Sequence, residues 1–205
     1  MKGYFRTVAQ LSKEAFDAIE FDAARTDDHR AAAQQMSRLA AASEGSGAMP
    51  RAEAYLRAGE QWLLADDAAA AAGDFQRALD EGSPAFVEAR VALARALYLL
   101  GRADEAAALV AQLEAEGRKD PRLCDLVAEL LVEQSDFIGA LDWANSGVEL
   151  CLPMDQSLGQ PLAVPPQLPP EVDRTELRLL LSLRYRIRND IGLPEDGYDK
   201  LLDEI

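Results

Sequence analysis

The residues able to do chemistry are few and stand far apart. His29 is the only histidine, whereas nucleophilic catalysis usually needs a base beside its nucleophile. It follows Asp27 and Asp28, which would cap an alanine-rich helix and leave the imidazole facing solvent in the first turn. Cys124 and Cys151 sit in no metal or redox motif, and Cys124 falls at an apolar position where a buried, reduced thiol is expected. No G-x-x-x-x-G-K-[ST] phosphate loop occurs, and Gly45-Ser46-Gly47 lacks the strand and third glycine of a dinucleotide fingerprint. Asp196-Gly197-x-Asp199 does not carry the alternating carboxylates of a calcium loop. Arg184, Arg186 and Arg188 form the one basic cluster. Alternate residues of a helix spread over a wide arc, so this run reads as a salt-bridged surface rather than an anion site. Carboxylates abound, but spacing cannot reveal a pair with perturbed pKa values. The sequence thus offers no catalytic residue, no cofactor and no metal set, and reads as non-enzymatic.

Charge narrows the partners. Asp and Glu number 36 against 21 Lys and Arg, a formal net charge of −15. That balance argues against nucleic acid, whose phosphates need clustered cations. It suits basic or neutral partners, or simply a solvated acidic surface. Met1 to Gln10 has no apolar run of signal-peptide length, and no stretch approaches the roughly 20 apolar residues of a membrane span. A cytoplasmic protein without membrane contact is expected.

The elements that must position these residues are helical. Of 37 alanines, only Ala163 lies beyond Ala144, which implies a helical array followed by a differently built tail. A short word recurs along the array. Tyr55-x2-Ala58-Gly59-x2-Trp62 leads to Ala71-x3-Phe75 and Pro84; Leu93-Ala94-x2-Leu97 leads to Ala106-x3-Val110; Val127-Ala128-x2-Leu131 leads to Ala140-x3-Ala144. The key alanines 71, 106 and 140 fall 35 and then 34 residues apart. Small residues let two antiparallel helices approach, and larger ones (Tyr55, Trp62, Phe75, Leu97, Val110, Leu131, Phe137) fill the adjoining layer. Asp66-Asp67, Gly101 and Ser135-Asp136 fall where a turn needs a cap or a left-handed residue. The pattern predicts helices over 50–65, 68–81, 85–100, 103–116, 121–134 and 137–151.

The flanks differ. In the first forty residues Phe16, Ile19, Ala23, Ala32, Met36 and Leu39 keep the repeat's internal spacing. This segment is either a degenerate fourth copy or a plain helical hairpin that caps the array. Ser43-Glu44-Gly45-Ser46-Gly47 reads as a flexible linker. Six prolines between 153 and 170 exclude helix there and imply an extended loop. Asp173-x-x-Glu176 then resembles a capping box, and Leu177, Leu180, Leu181, Leu183, Ile187 and Ile191 give an apolar helical face. Pro194 is expected to start a last helix with Tyr198, Leu201, Leu202 and Ile205 on one face. The expected organisation is 1–48, N-terminal helical pair and linker; 49–151, three repeats; 152–170, proline-rich loop; 171–205, C-terminal capping helices.

Residues 50 to 151 resemble a tetratricopeptide array. The resemblance implies an all-α, right-handed α-solenoid of helical hairpins with helical caps at both ends, acting as a scaffold or adaptor for protein–protein contact. A narrower resemblance covers Leu141-Asp142-Trp143-Ala144 to Gly147, Arg184-Tyr185-Arg186-Ile187-Arg188 and Ile191-Gly192-Leu193-Pro194 to Asp199. These segments are similar to bacterial tetratricopeptide proteins that often carry a zinc motif of the kind found at the tail of the SecA ATPase. Two cysteines and one histidine far apart cannot form that motif, so zinc is not carried over.

The family's concave groove is lined by the first helix of each repeat. Carried over, its positions are Glu53, Leu56, Glu60, Leu63 and Leu64; Glu88, Val91, Arg95, Tyr98 and Leu99; then Arg122, Asp125, Glu129, Val132 and Glu133. The mixture of acids and apolar residues there implies a basic-apolar peptide, its side chains on Leu63 and Tyr98 and its charge against Glu60 and Glu129. The alternatives are that the proline-rich segment or the N-terminal helices cover the groove, or that two copies form a homodimer through it or through the C-terminal helices.

Overall fold

The computed structural model describes residues 11–43, 48–82, 86–117, 120–152 and 173–203, apart from the side chains of Phe86 and Val87. The linker residues 44–47, nearly all of the proline-rich segment (153–172) and Ile205 lie outside them. Among the described residues the regular structure is entirely helical. The helices are α1 (Lys13–Thr26), α2 (His29–Ala42), α3 (Arg51–Leu64), α4 (Ala68–Asp80), α5 (Phe86–Leu99), α6 (Ala103–Glu116), α7 (Pro121–Glu133), α8 (Phe137–Cys151) and α9 (Arg174–Asp190). A single 3-10 turn, Asp199–Asp203, follows. From α3 to α8 every boundary lies within a residue of the span that the repeat pattern predicts.

One turn chemistry recurs inside the hairpins. Asp66, Gly101 and Ser135 take left-handed φ values of 57°, 73° and 61°. The next residue's amide then reaches back five residues: Asp67 N–H to Trp62 C=O, Arg102 to Leu97 and Asp136 to Leu131, each at 2.9 Å. This satisfies a carbonyl that the helix end leaves unpaired. The Asp67 and Asp136 carboxylates next cap α4 and α8 by accepting from the amides of Ala70 and Gly139. Between α1 and α2 the left-handed residue and the cap recur, as Asp27 (φ 62°) and as Asp28, whose carboxylate accepts from Ala31.

Two compact units emerge, residues 1–109 and 110–205, the division falling within α6. In the first, α2 packs on α1 and α3, and α4 packs on α3 and α5. Phe16, Met36, Tyr55 and Phe75 are buried in it. Gly59 shows why small residues are needed: a Cβ there would fall within 2.8 Å of three atoms of the Phe75 ring. In the second unit α7 packs on α8, and α9 packs on both. Gly147 permits this, since a Cβ on it would lie 2.9 Å from Cys124 Cβ and 2.6 Å from Leu180 Cδ2.

Two expectations change here. Trp143 rather than Phe137 is the buried aromatic of α8, because 143, 140, 144 and 147 share one helical face. The segment after Gly192 is not helical from Pro194; it turns through Asp196 and forms only the 3-10 turn. Asp196 Oδ1 accepts from the amides of Tyr198 and Asp199, which holds a tight turn in place of a helix start.

Candidate partner-binding surfaces

On unit 1 the surface is built by α3 and α5, which touch each other. Each first buries its small and aromatic positions, Ala58 and Trp62 on α3 and Ala94 and Leu97 on α5. What remains outward is a stripe at i, i+4 spacing: Glu60 and Leu64 on α3, Arg95 and Leu99 on α5. Leu64 and Leu99 are 61% and 66% exposed. Glu60 is exposed as well, while Leu63, Arg95 and Tyr98 are half-buried beside them. Leu56 and Val91 stand differently from expectation. They are only 6% and 2% exposed, so neither can offer its side chain to a partner.

On unit 2 the corresponding residues of α7 meet α9. Asp125, Glu129 and Val132 are half-buried. Arg186 donates from α9 to the Glu129 carboxylate at 2.9 Å, so Glu129 is engaged within the chain rather than held for a partner's cation. Burial first, then the Glu129 charge, raises the Asp125 carboxyl above its ordinary range. Burial and then the charges of Asp120 and Asp173 do the same to Glu176 on the first turn of α9.

The arginine run is divided: Arg186 forms an exposed salt bridge with Glu129, whereas Arg184 points inward. Arg184 is 3% exposed and holds Asn145 on α8 at 2.8 Å and Asp196 at 2.5 Å, together with Asp199. Arg188 completes the cluster on Asp199 at 2.9 Å. Sequence does contain the signal. Arg184 follows Leu177 by seven and Leu180 by four, and precedes Ile187 by three, which puts it on the buried face of α9.

His29 also differs from its expected place. Its Nδ1 lies 2.9 Å from Oε1 of Gln61, which is itself buried, so the ring ties α2 to α3 rather than facing water. Among the described residues no group of three or more His, Cys, Asp or Glu is arranged to hold a metal ion. Nor is any described helix long and apolar enough to cross a membrane. Two further clusters carry no signal in the spacing. Arg57 on α3 binds Asp17 and Glu20 on α1 at 2.6 and 2.5 Å and lies over the Phe16 ring. Asp74 is buried against Trp62 and Ser37.

Residues 63–130, from the end of α3 through most of α7, match the family model described as tetratricopeptide repeat. This stretch is a tetratricopeptide repeat region. A search of curated proteins gives no match. Tetratricopeptide repeats generally mediate protein–protein interaction, and the family is typically non-catalytic. Of the positions carried over from the family, those on α3 and α5 thus include the exposed Leu64 and Leu99, whereas Glu129 on α7 is paired with Arg186 of α9.

Proposed function

We propose that this protein is a non-catalytic scaffold or adaptor that holds a segment of another protein against the α3–α5 face of unit 1. The observation that carries this reading is the pair Leu64 and Leu99. They occupy the same position in consecutive repeats, and both stay well exposed where an unbound surface loses free energy to water. Glu60 and Arg95, four residues before them, give the face one charge of each sign. A partner segment would then alternate apolar and charged side chains.

The test is a displayed peptide library selected on the intact chain and on Leu64→Glu/Leu99→Glu, with circular dichroism to show equal helicity. Sequences enriched on the wild type and absent from the variant are expected. Equal enrichment on both would remove this face from consideration.

Self-association is the second reading, favoured by Tyr185 and Leu179, which α9 leaves exposed. A mass that rises with concentration in sedimentation would support it.

A further inference from the structure

A cavity of about 350 Å³ opens between α7 and α9 in unit 2. Its apolar wall is Leu126, Leu179 and Leu180, and its polar wall is Asp125, Glu176 and Arg122. Leu180 forms a buried floor, but Leu179 is 60% exposed at the mouth. An apolar side chain left open beside a concave, half-buried set of carboxylates is the arrangement of a recognition pocket rather than of a solvated helix face.

We propose that this cavity receives a lysine or arginine side chain, with an apolar neighbour, from a short basic segment of a partner protein. The aliphatic stem would lie along Leu126 and Leu180, the neighbouring apolar side chain on Leu179, and the cationic head between Asp125 and Glu176. Long basic side chains combine an apolar stem with a charged tip in just this way.

Charge complementarity selects the occupant. Among the described residues, Asp120, Asp125, Glu129, Asp173 and Glu176 interact across this region with the cations Arg122 and Arg186. Arg186 is committed to Glu129. Asp125 and Glu176 are consequently under-neutralised, and both carboxyls are raised, by burial first and by neighbouring carboxylates second. A cation placed between them offsets the carboxylate repulsion and replaces lost hydration by charge-assisted hydrogen bonds, whereas an anionic or wholly apolar segment does neither. The inference deepens the scaffold reading but uses a surface of unit 2, so the two can fail separately.

The probe is an acetylated, amidated hexapeptide alternating lysine and leucine, titrated by fluorescence anisotropy against the full chain. Two control peptides replace lysine by norleucine and leucine by serine. Asp125→Asn/Glu176→Gln is expected to weaken binding about tenfold or more, as for removal of two charge-assisted contacts. Leu179→Ser, at an exposed position that folding does not need, should weaken it severalfold, and both control peptides should bind poorly. Glu14→Gln/Asp104→Asn removes two exposed carboxylates elsewhere and should leave affinity within about twofold, since distant exposed charges are screened.

Equal losses in the two carboxylate pairs would mean general attraction to an acidic chain and overturn the proposal. Loss only in Leu64→Glu/Leu99→Glu would move the peptide to unit 1, overturning this inference and leaving the scaffold reading intact. If Leu179→Ser instead converts a dimer to a monomer in sedimentation, the occupant is a second copy and the proposal also falls.

Discussion

The Trp62 indole N–H donates to the buried Asp74 carboxylate at 3.0 Å, joining the first and second helices of one repeat through a polar bond in the core of unit 1. Asp74 is 1% exposed. It also accepts from the Ser37 hydroxyl of α2 at 2.5 Å and from Arg77 at 2.6 Å. A repeat position usually read as pure packing thus has a partner that orients it. Asp74→Ala strands the indole N–H and should cost about 1–3 kcal/mol, the usual penalty for an orphaned buried donor. Asp74→Asn keeps an acceptor and should cost less, because the pair to the largely exposed Arg77 contributes little. Urea unfolding followed by tryptophan fluorescence measures both, and equal losses would contradict the account.

Glycine to alanine should change sign along one hairpin. In a helix interior it normally gains about 0.5–1 kcal/mol by restricting the unfolded chain. Gly73 on α4 has open space on its outer side, with no heavy atom within 4 Å of where a methyl would sit, so Gly73→Ala should raise stability by that amount. Gly59→Ala must instead displace the fully buried Phe75 ring and should lose about 1–3 kcal/mol by overpacking. Thermal unfolding of the two variants side by side reads the difference. The companion site Ala106, which is completely buried, should behave like Gly59 when enlarged to leucine.

Cys151 should be inert in the folded chain. Burial first, then the carboxylates of Glu176 and Asp173, push its thiol up to about 12. The thiolate fraction at pH 8 is then on the order of one in ten thousand, and alkylation should run roughly a thousandfold slower than for an ordinary thiol. Iodoacetamide labelling followed by mass spectrometry checks this, with full labelling expected once the chain is unfolded. Rapid native labelling would show that the C-terminal end of α8 opens.

The hairpins were legible because their signals are local. Small residues at 59, 71, 94, 106, 128 and 140, and turn residues at 66, 101 and 135, act through backbone geometry that spacing reveals. The surfaces were legible only in part. Leu64 and Leu99 stand exposed on their helices, but the burial of Leu56 and Val91 depends on packing between elements, which the carried-over positions do not encode. Glu129 looked available because its cation, Arg186, comes from 57 residues downstream. Arg184 differs for another reason. Its charge pointed to solvent while its helical phase pointed to the core, and the two buried acids that let the phase prevail come from a turn beyond the helix.

That arginine yields the sharpest dependence on acidity. Arg184 and Arg188 both contact Asp196 and Asp199, and the first of them is buried with both acids. Burial alone would raise the Asp196 carboxyl, but the hydrogen bond and charge of Arg184, aided by Arg188, hold it below the ordinary value of 3.8. A carboxyl lowered on folding contributes stability that is present above its unfolded pKa and is lost as pH falls through its folded pKa. Amide protection of residues 196–203 should therefore persist from neutral pH down to about 5 and collapse only below about 4. Arg184→Leu leaves two buried carboxylates with only Arg188 opposite them and should cost about 3–5 kcal/mol at neutral pH. Adding Asp196→Asn and Asp199→Asn should recover much of that loss. Hydrogen exchange resolved along the chain reads all three forms, and protection lost already at pH 6 in the wild type would show that the arginine does not hold this turn.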